Sequence, residues 1–113
     1  MNYDNRVMLR GVLPHTASCV AIDDAGSLVV ELYDFSTDAH TWLGNDVAFL
    51  LTVGAAGKAD ALARLLGDRP PPAAERDALL LQLLAARFVD YHGVLQWLEE
   101  QRIPFRKEFE PLA

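Results

Sequence analysis

Ala17-Ser18-Cys19-Val20-Ala21-Ile22 runs into Asp23-Asp24-Ala25-Gly26-Ser27 and then into Leu28-Val29-Val30-Glu31-Leu32-Tyr33-Asp34-Phe35, and this stretch decides the fold. The middle segment carries turn chemistry: short acidic side chains that bond their own backbone, then a glycine free to take positive φ. The flanks alternate. Val20 and Ile22 share one face, and Leu28, Val30 and Leu32 form an apolar row whose neighbours Val29, Glu31 and Tyr33 are mixed. Half-buried alternation of period two predicts a β-hairpin from 17–22 and 28–35.

Downstream of the hairpin, Ser36 can cap a helical turn that carries Asp38 near its start and stops at Gly44. Asp46 to Val53 is apolar on both faces, as expected of a central strand covered on both sides. The rest reads as helical. Ala55 to Leu66 has Ala59, Leu62, Leu65 and Leu66 at helical spacing before Gly67, and Ala73 to Phe88 follows Pro70-Pro71-Pro72. Asp90 to Arg102 carries Tyr91, Val94, Leu95 and Leu98 on one stripe. Pro104 ends it, and Phe105 to Phe109 reads as a last short strand. The expected architecture is one α+β domain over residues 1–113. An antiparallel or mixed sheet from the N-terminal half packs on about three helices, with a short C-terminal strand.

The chain has 113 residues, 51% hydrophobic and 23% charged, which suits one globular core. Its opening residues lack the basic segment and long apolar run of a secretory signal, and no stretch approaches the ~20 apolar residues of a membrane span. A single cysteine cannot make an internal disulfide. A cytoplasmic location follows as the expectation. The formal net charge of -6 argues against nucleic acid, because phosphate binding needs a basic surface.

The charge is segregated. Residues 11–57 contain no Lys or Arg and six acids: Asp23, Asp24, Glu31, Asp34, Asp38 and Asp46. The other segments nearly balance, at +1 for residues 1–10 and -1 for residues 58–113. Helical bases such as Lys58, Arg64 or Arg87 fold over the sheet, or the acids form a face that steers a basic partner, or they hold a divalent cation, against which stands their spread across elements rather than in one loop. Asp34 lies at the end of the Leu28/Val30/Leu32 row, where a carboxylate must be bonded or paired. It either caps the Ser36 turn or faces a partner.

Catalytic and metal motifs are lacking. Gly54-Ala55-Ala56-Gly57-Lys58-Ala59 sits between strand and helix, but a phosphate loop needs Gly at Thr52 and Ser or Thr at Ala59. Cys19 lies among Ala17, Val20 and Ala21, where it reads as an apolar filler rather than a nucleophile. His15, His40 and His92 are too scattered for zinc. No cofactor, no metal and no enzymatic activity are expected. Trp42 and Trp97 either pack in the core or at its edge or, as aromatic residues near acids, serve as anchors of the kind found at protein-binding hot spots. Glu99-Glu100 place negative charge at a helix end whose dipole disfavours it.

Val30-Glu31-Leu32-Tyr33-Asp34-Phe35-Ser36, Trp42-Leu43-Gly44-Asn45-Asp46-Val47, Leu51-Thr52-Val53 and Trp97-Leu98-Glu99-Glu100-Gln101-Arg102-Ile103-Pro104-Phe105 together resemble small bacterial immunity proteins encoded beside contact-dependent or other polymorphic toxins. The resemblance covers about residues 17–53 and 88–110. It implies a cytoplasmic, non-catalytic protein that binds and blocks one cognate toxin, often a basic nuclease. On that reading Glu31, Asp34, Asp38 and Asp46 pair with toxin bases, Tyr33 and Trp42 anchor, and Trp97, Glu99 and Glu100 contribute. Charge reversal at Glu31 or Asp46 would then slow association and leave the fold intact. The alternative is a small-molecule-binding or enzymatic domain with a sheet–helix pocket offering His92, Tyr91 or Asp34. A homodimer covering its own strand half is a third option.

Overall fold

Asp23 builds the turn that organises the sheet. Its Oδ1 accepts from the Ala25 N–H at 3.0 Å and the Ser27 N–H at 2.9 Å, while Gly26 sits at φ +81°. That left-handed backbone favours glycine. The computed structural model describes residues 5–11, 14–35, 46–67 and 72–112. Around the turn, β2 (Thr16–Ile22) and β3 (Leu28–Asp34) pair antiparallel from Ile22 opposite Leu28 to Thr16 opposite Asp34. The hairpin is as the alternation predicts.

The described residues form one antiparallel sheet in the order β1-β2-β3-β4-β5, with no parallel pair. β1 is Asn5–Met8, β4 is Asp46–Val53 and β5 is Arg106–Leu112. Between β4 and β5 come α1 (Ala55–Leu66), α2 (Ala73–Arg87) and α3 (Tyr91–Glu100). The strand, helices, strand order is the α+β arrangement expected. β4 does lie between two strands, with Val47, Leu51 and Val53 buried on one face and Ala48 and Leu50 on the other. The helical turn expected over 36–44 falls outside the described residues. No described helix is by itself long and apolar enough to cross a membrane.

Two boundaries differ from the sequence reading. β1 was not expected, although Val7 and Leu9 share one face with arginines on either side. β5 begins one residue later than expected and runs on to Leu112, through Pro111, which an edge strand tolerates.

The three helices cover one face of the sheet. Val20, Val30, Leu32, Leu51 and Val53 meet Leu62, Leu80, Leu84, Val94, Trp97 and Leu98 in one apolar cluster. α3 is fastened at its start: Asp90 caps it by accepting from the Gly93 N–H at 3.0 Å, and the Tyr91 N–H donates to Ser18 Oγ of β2 at 3.0 Å. These bonds satisfy two donors that a helix N-terminus leaves open. At the other end the Arg102 N–H reaches the Glu99 carbonyl and the Ile103 N–H the Leu98 carbonyl, with Arg102 at φ 58°. This 5→2 and 6→1 pair stops the helix and turns the chain toward β5. The stripe therefore ends at Glu100 rather than at Arg102.

The glycine-rich stretch before Lys58 has a packing reason. A Cβ on Gly57 would stand 2.8 Å from Val53 Cγ1, 3.2 Å from Ile103 Cγ2 and 3.3 Å from the Pro104 carbonyl oxygen. Only glycine lets α1 pass so close to β4 and the loop before β5.

Candidate functional site

The face of the sheet turned away from the helices holds the unusual chemistry. Register places Arg6 of β1, Cys19 of β2, Glu31 and Tyr33 of β3, and Leu50 of β4 on that side. Glu31 is 2% exposed. Its Oε2 receives Arg6 Nη2 at 3.3 Å, Cys19 Sγ at 3.4 Å and the Tyr33 hydroxyl. Arg6 Nη2 also lies 3.5 Å from the Tyr33 oxygen. A buried carboxylate is tolerable only with such partners.

The cluster affects its members differently. Burial, then the negative field of Glu31, pushes the Cys19 thiol up to about 12. Burial, then the hydrogen bond to Glu31, pushes the Tyr33 phenol up to about 12. Both groups are therefore protonated donors near neutral pH. A thiol held that high is a poor nucleophile, and its bond to Glu31 makes Cys19 a donor to the buried carboxylate rather than the apolar filler expected from the sequence.

Glu31 consequently does not face a partner, which corrects the sequence reading. It is the buried anchor that fixes the Tyr33 ring, and reversing its charge would strike the fold. Trp97 is likewise corrected: at 5% exposure it lies in the core, 5.6 Å from the Phe88 ring, with the Arg87 guanidinium 5.8 Å from the indole. Tyr33 is half-buried, its hydroxyl committed to Glu31. Its ring stacks with that of Phe35 at 6.3 Å. Asp34 is half-buried on the helix-side row, opposite Thr16 and Val47, and has a bonding partner. Asp46 begins β4. Asp38 and Trp42 lie outside the described residues. Glu99 and Glu100 are exposed at the end of α3, which packs on the face of the sheet opposite to that of Glu31.

Among the described residues Lys58 reaches the acidic turn at 23–27, while Arg64 and Arg87 make their contacts within the helical half. Lys58 Nζ bonds Asp77 Oδ1 at 2.8 Å and the Gly26 carbonyl at 2.6 Å, Arg64 bonds Gln101 at 2.9 Å, and Arg87 lies over Phe88 and Trp97. Glu31 is instead met by Arg6, from the strand the sequence reading missed.

Open apolar surface gathers on the same side as the cluster. Met8, on the face of Arg6, is 56% exposed, and Phe35, on the face of Tyr33, is 47% exposed. On the helix side, a shallow groove of about 280 Å³ is lined by Leu32, Phe49, Tyr91, His92, Leu95 and Lys107. It contains two of the residues the small-molecule reading names, His92 and Tyr91, but not Asp34. Among the described residues no group of His, Cys, Asp and Glu is arranged to hold a metal ion.

Set against known protein families, curated proteins and solved structures, the chain matches none.

Proposed function

We propose that this chain is a protein-binding domain of the immunity kind, taking a cognate basic protein on its strand-rich half. One observation carries the reading. Phe35 stands open at the end of β3, stacked on a Tyr33 ring fixed from below by the buried Glu31, in a segment without Lys or Arg. Arg6 pairs with Glu31 beneath the ring, but residues 1–57 as a whole carry seven acids against two bases, and a rigid aromatic anchor on such a half suits a basic partner: the field speeds encounter and the ring slows departure. Occlusion of the partner's phosphate-gripping surface would be the mode of neutralisation, within the cytoplasm of the cell that makes both proteins.

The test is binding and protection with the basic protein encoded beside this gene. Co-expression should rescue growth, and the association rate should fall steeply between low and high salt. Phe35→Ala should weaken binding by tenfold or more, as expected for loss of a hot-spot aromatic. Absence of both binding and protection overturns the reading.

The groove at Leu32, Phe49 and Leu95, with His92 and Lys107 at its rim, favours the small-molecule alternative. Resonance shifts confined to those residues on addition of an amphipathic anion, with none on the Phe35 side, would support it instead.

A further inference from the structure

We propose that β5 is a self-pairing edge, on which a second copy of this chain adds its own β5 antiparallel about a two-fold axis at Lys107. Among the described residues β5 ends the sheet and pairs with β4 alone, and Arg106, Lys107, Glu108, Phe109 and Glu110 are all exposed. Phe109 is 47% exposed although it already touches the Phe49 ring at 5.4 Å. A bare strand edge with an open aromatic is a template for another strand. The other edge, β1, is a four-residue strand.

The side-chain order selects the occupant and the register. An axis perpendicular to the sheet keeps both helix layers on one side, so residues equally displaced from the axis face each other. With the axis at Lys107, Arg106 meets Glu108 of the partner subunit twice over, and Phe105 meets Phe109 of the partner subunit twice over. With the axis at Arg106, arginine meets arginine. At Glu108, the two Glu108 carboxylates collide and the phenylalanines face lysines. At Phe109, Glu108 meets Glu110 twice. Only the Lys107 register joins opposite charges on one face and aromatic rings on the other, at the cost of one Lys107 pair whose long stems can diverge.

Overall charge is no obstacle here. Arg106 and Lys107 balance Glu108 and Glu110, so the edge is locally neutral although each copy carries -6. The Arg106–Glu108 bridge within one strand, 2.6 Å between Nε and Oε1, shows that these two groups reach each other's height on the surface. Pro111, which has no N–H to offer, falls beyond the paired residues 105–109. None of this depends on the basic partner proposed above, whose anchor Phe35 directly follows β3.

Sedimentation equilibrium of the full chain from micromolar to millimolar concentration tests the proposal. Wild type should show a monomer–dimer equilibrium. Arg106→Glu and Glu108→Arg each place like charges at both crossings and should raise the dimer Kd about tenfold. An equimolar mixture of the two variants restores opposite charges at both crossings, so it should form a one-to-one heterodimer near the wild-type Kd. Amides of residues 105–109 should gain hydrogen-exchange protection with wild-type concentration, a readout that needs no variant. A wild-type monomer at millimolar concentration overturns the proposal. So do single variants that dimerise like wild type, or a mixture that stays monomeric while both variants retain native circular dichroism.

Discussion

The two faces of the sheet are buried by opposite means. The helix side is closed by aliphatic rows, Val20, Val30, Leu32 and Leu51 against Leu80, Leu84, Val94 and Leu98, and needs no polar partner. The other side buries Cys19, Ala21, Val29 and Leu50 around one carboxylate that three donors must satisfy. An apolar layer tolerates small losses by degrees. A buried charge fails when any donor is removed, because desolvation is then uncompensated. The first face stabilises; the second positions a side chain.

Mutants can break this contrast. The largest effect should come from Leu98→Ala, which opens a cavity under α3 and should cost roughly 2–5 kcal/mol in urea unfolding. Leu95 is half-buried along the groove and should cost less. Next is Arg6→Met, which keeps the stem's volume but leaves Glu31 short of its cation. About 1–3 kcal/mol is expected, reduced by the 34% exposure of the Arg6 side chain. If Arg6→Met is neutral, the contrast between the faces is wrong. Gly57→Ala should cost about 1–3 kcal/mol despite alanine's better helix propensity, since Val53 must move.

The cluster also predicts a pH dependence with a definite sign. Cys19 and Tyr33 hold their protons more tightly folded than unfolded, so they contribute stability that is complete below about pH 9. It is lost as pH climbs from 9.0 and 10.0, the ordinary thiol and phenol values, toward about 12. Cys19→Ala with Tyr33→Phe should flatten that alkaline loss and leave the helix-side core untouched. The smallest effect should be Phe35→Ala, within about 0.5 kcal/mol of wild type in stability, because its open ring serves the surface rather than the core.

How legible this was in the sequence follows from the same contrast. Period-two alternation located β2 and β3, a run apolar on both faces located β4, and helical patterns located the three helices, because apolar rows report their own burial. Glu31 gave the opposite impression. Its alternation within β3 marks the face but not whether that face is covered, and its cation comes from Arg6, 25 residues away. Trp97 lies off the Tyr91/Val94/Leu95/Leu98 stripe yet is buried, since Phe88 and Arg87 close over it. Val7 and Leu9 were a signal for β1 that a four-residue strand makes faint. Gly57 looked like half a phosphate loop, and only the approach of Ile103 explains it.

The route from β4 to β5 has a temporal consequence. Their neighbouring residues, such as Thr52 and Arg106, are separated by three helices in the chain, whereas β1 to β4 join by successive local pairings. During synthesis the outer rim of β4 therefore waits, bare, until the helical segment has emerged and settled. Closing so long a loop is entropically slow. A ribosome pausing within the helices would hold out a sticky hydrophobic ribbon, making this interval the nascent chain's moment of greatest risk of clumping.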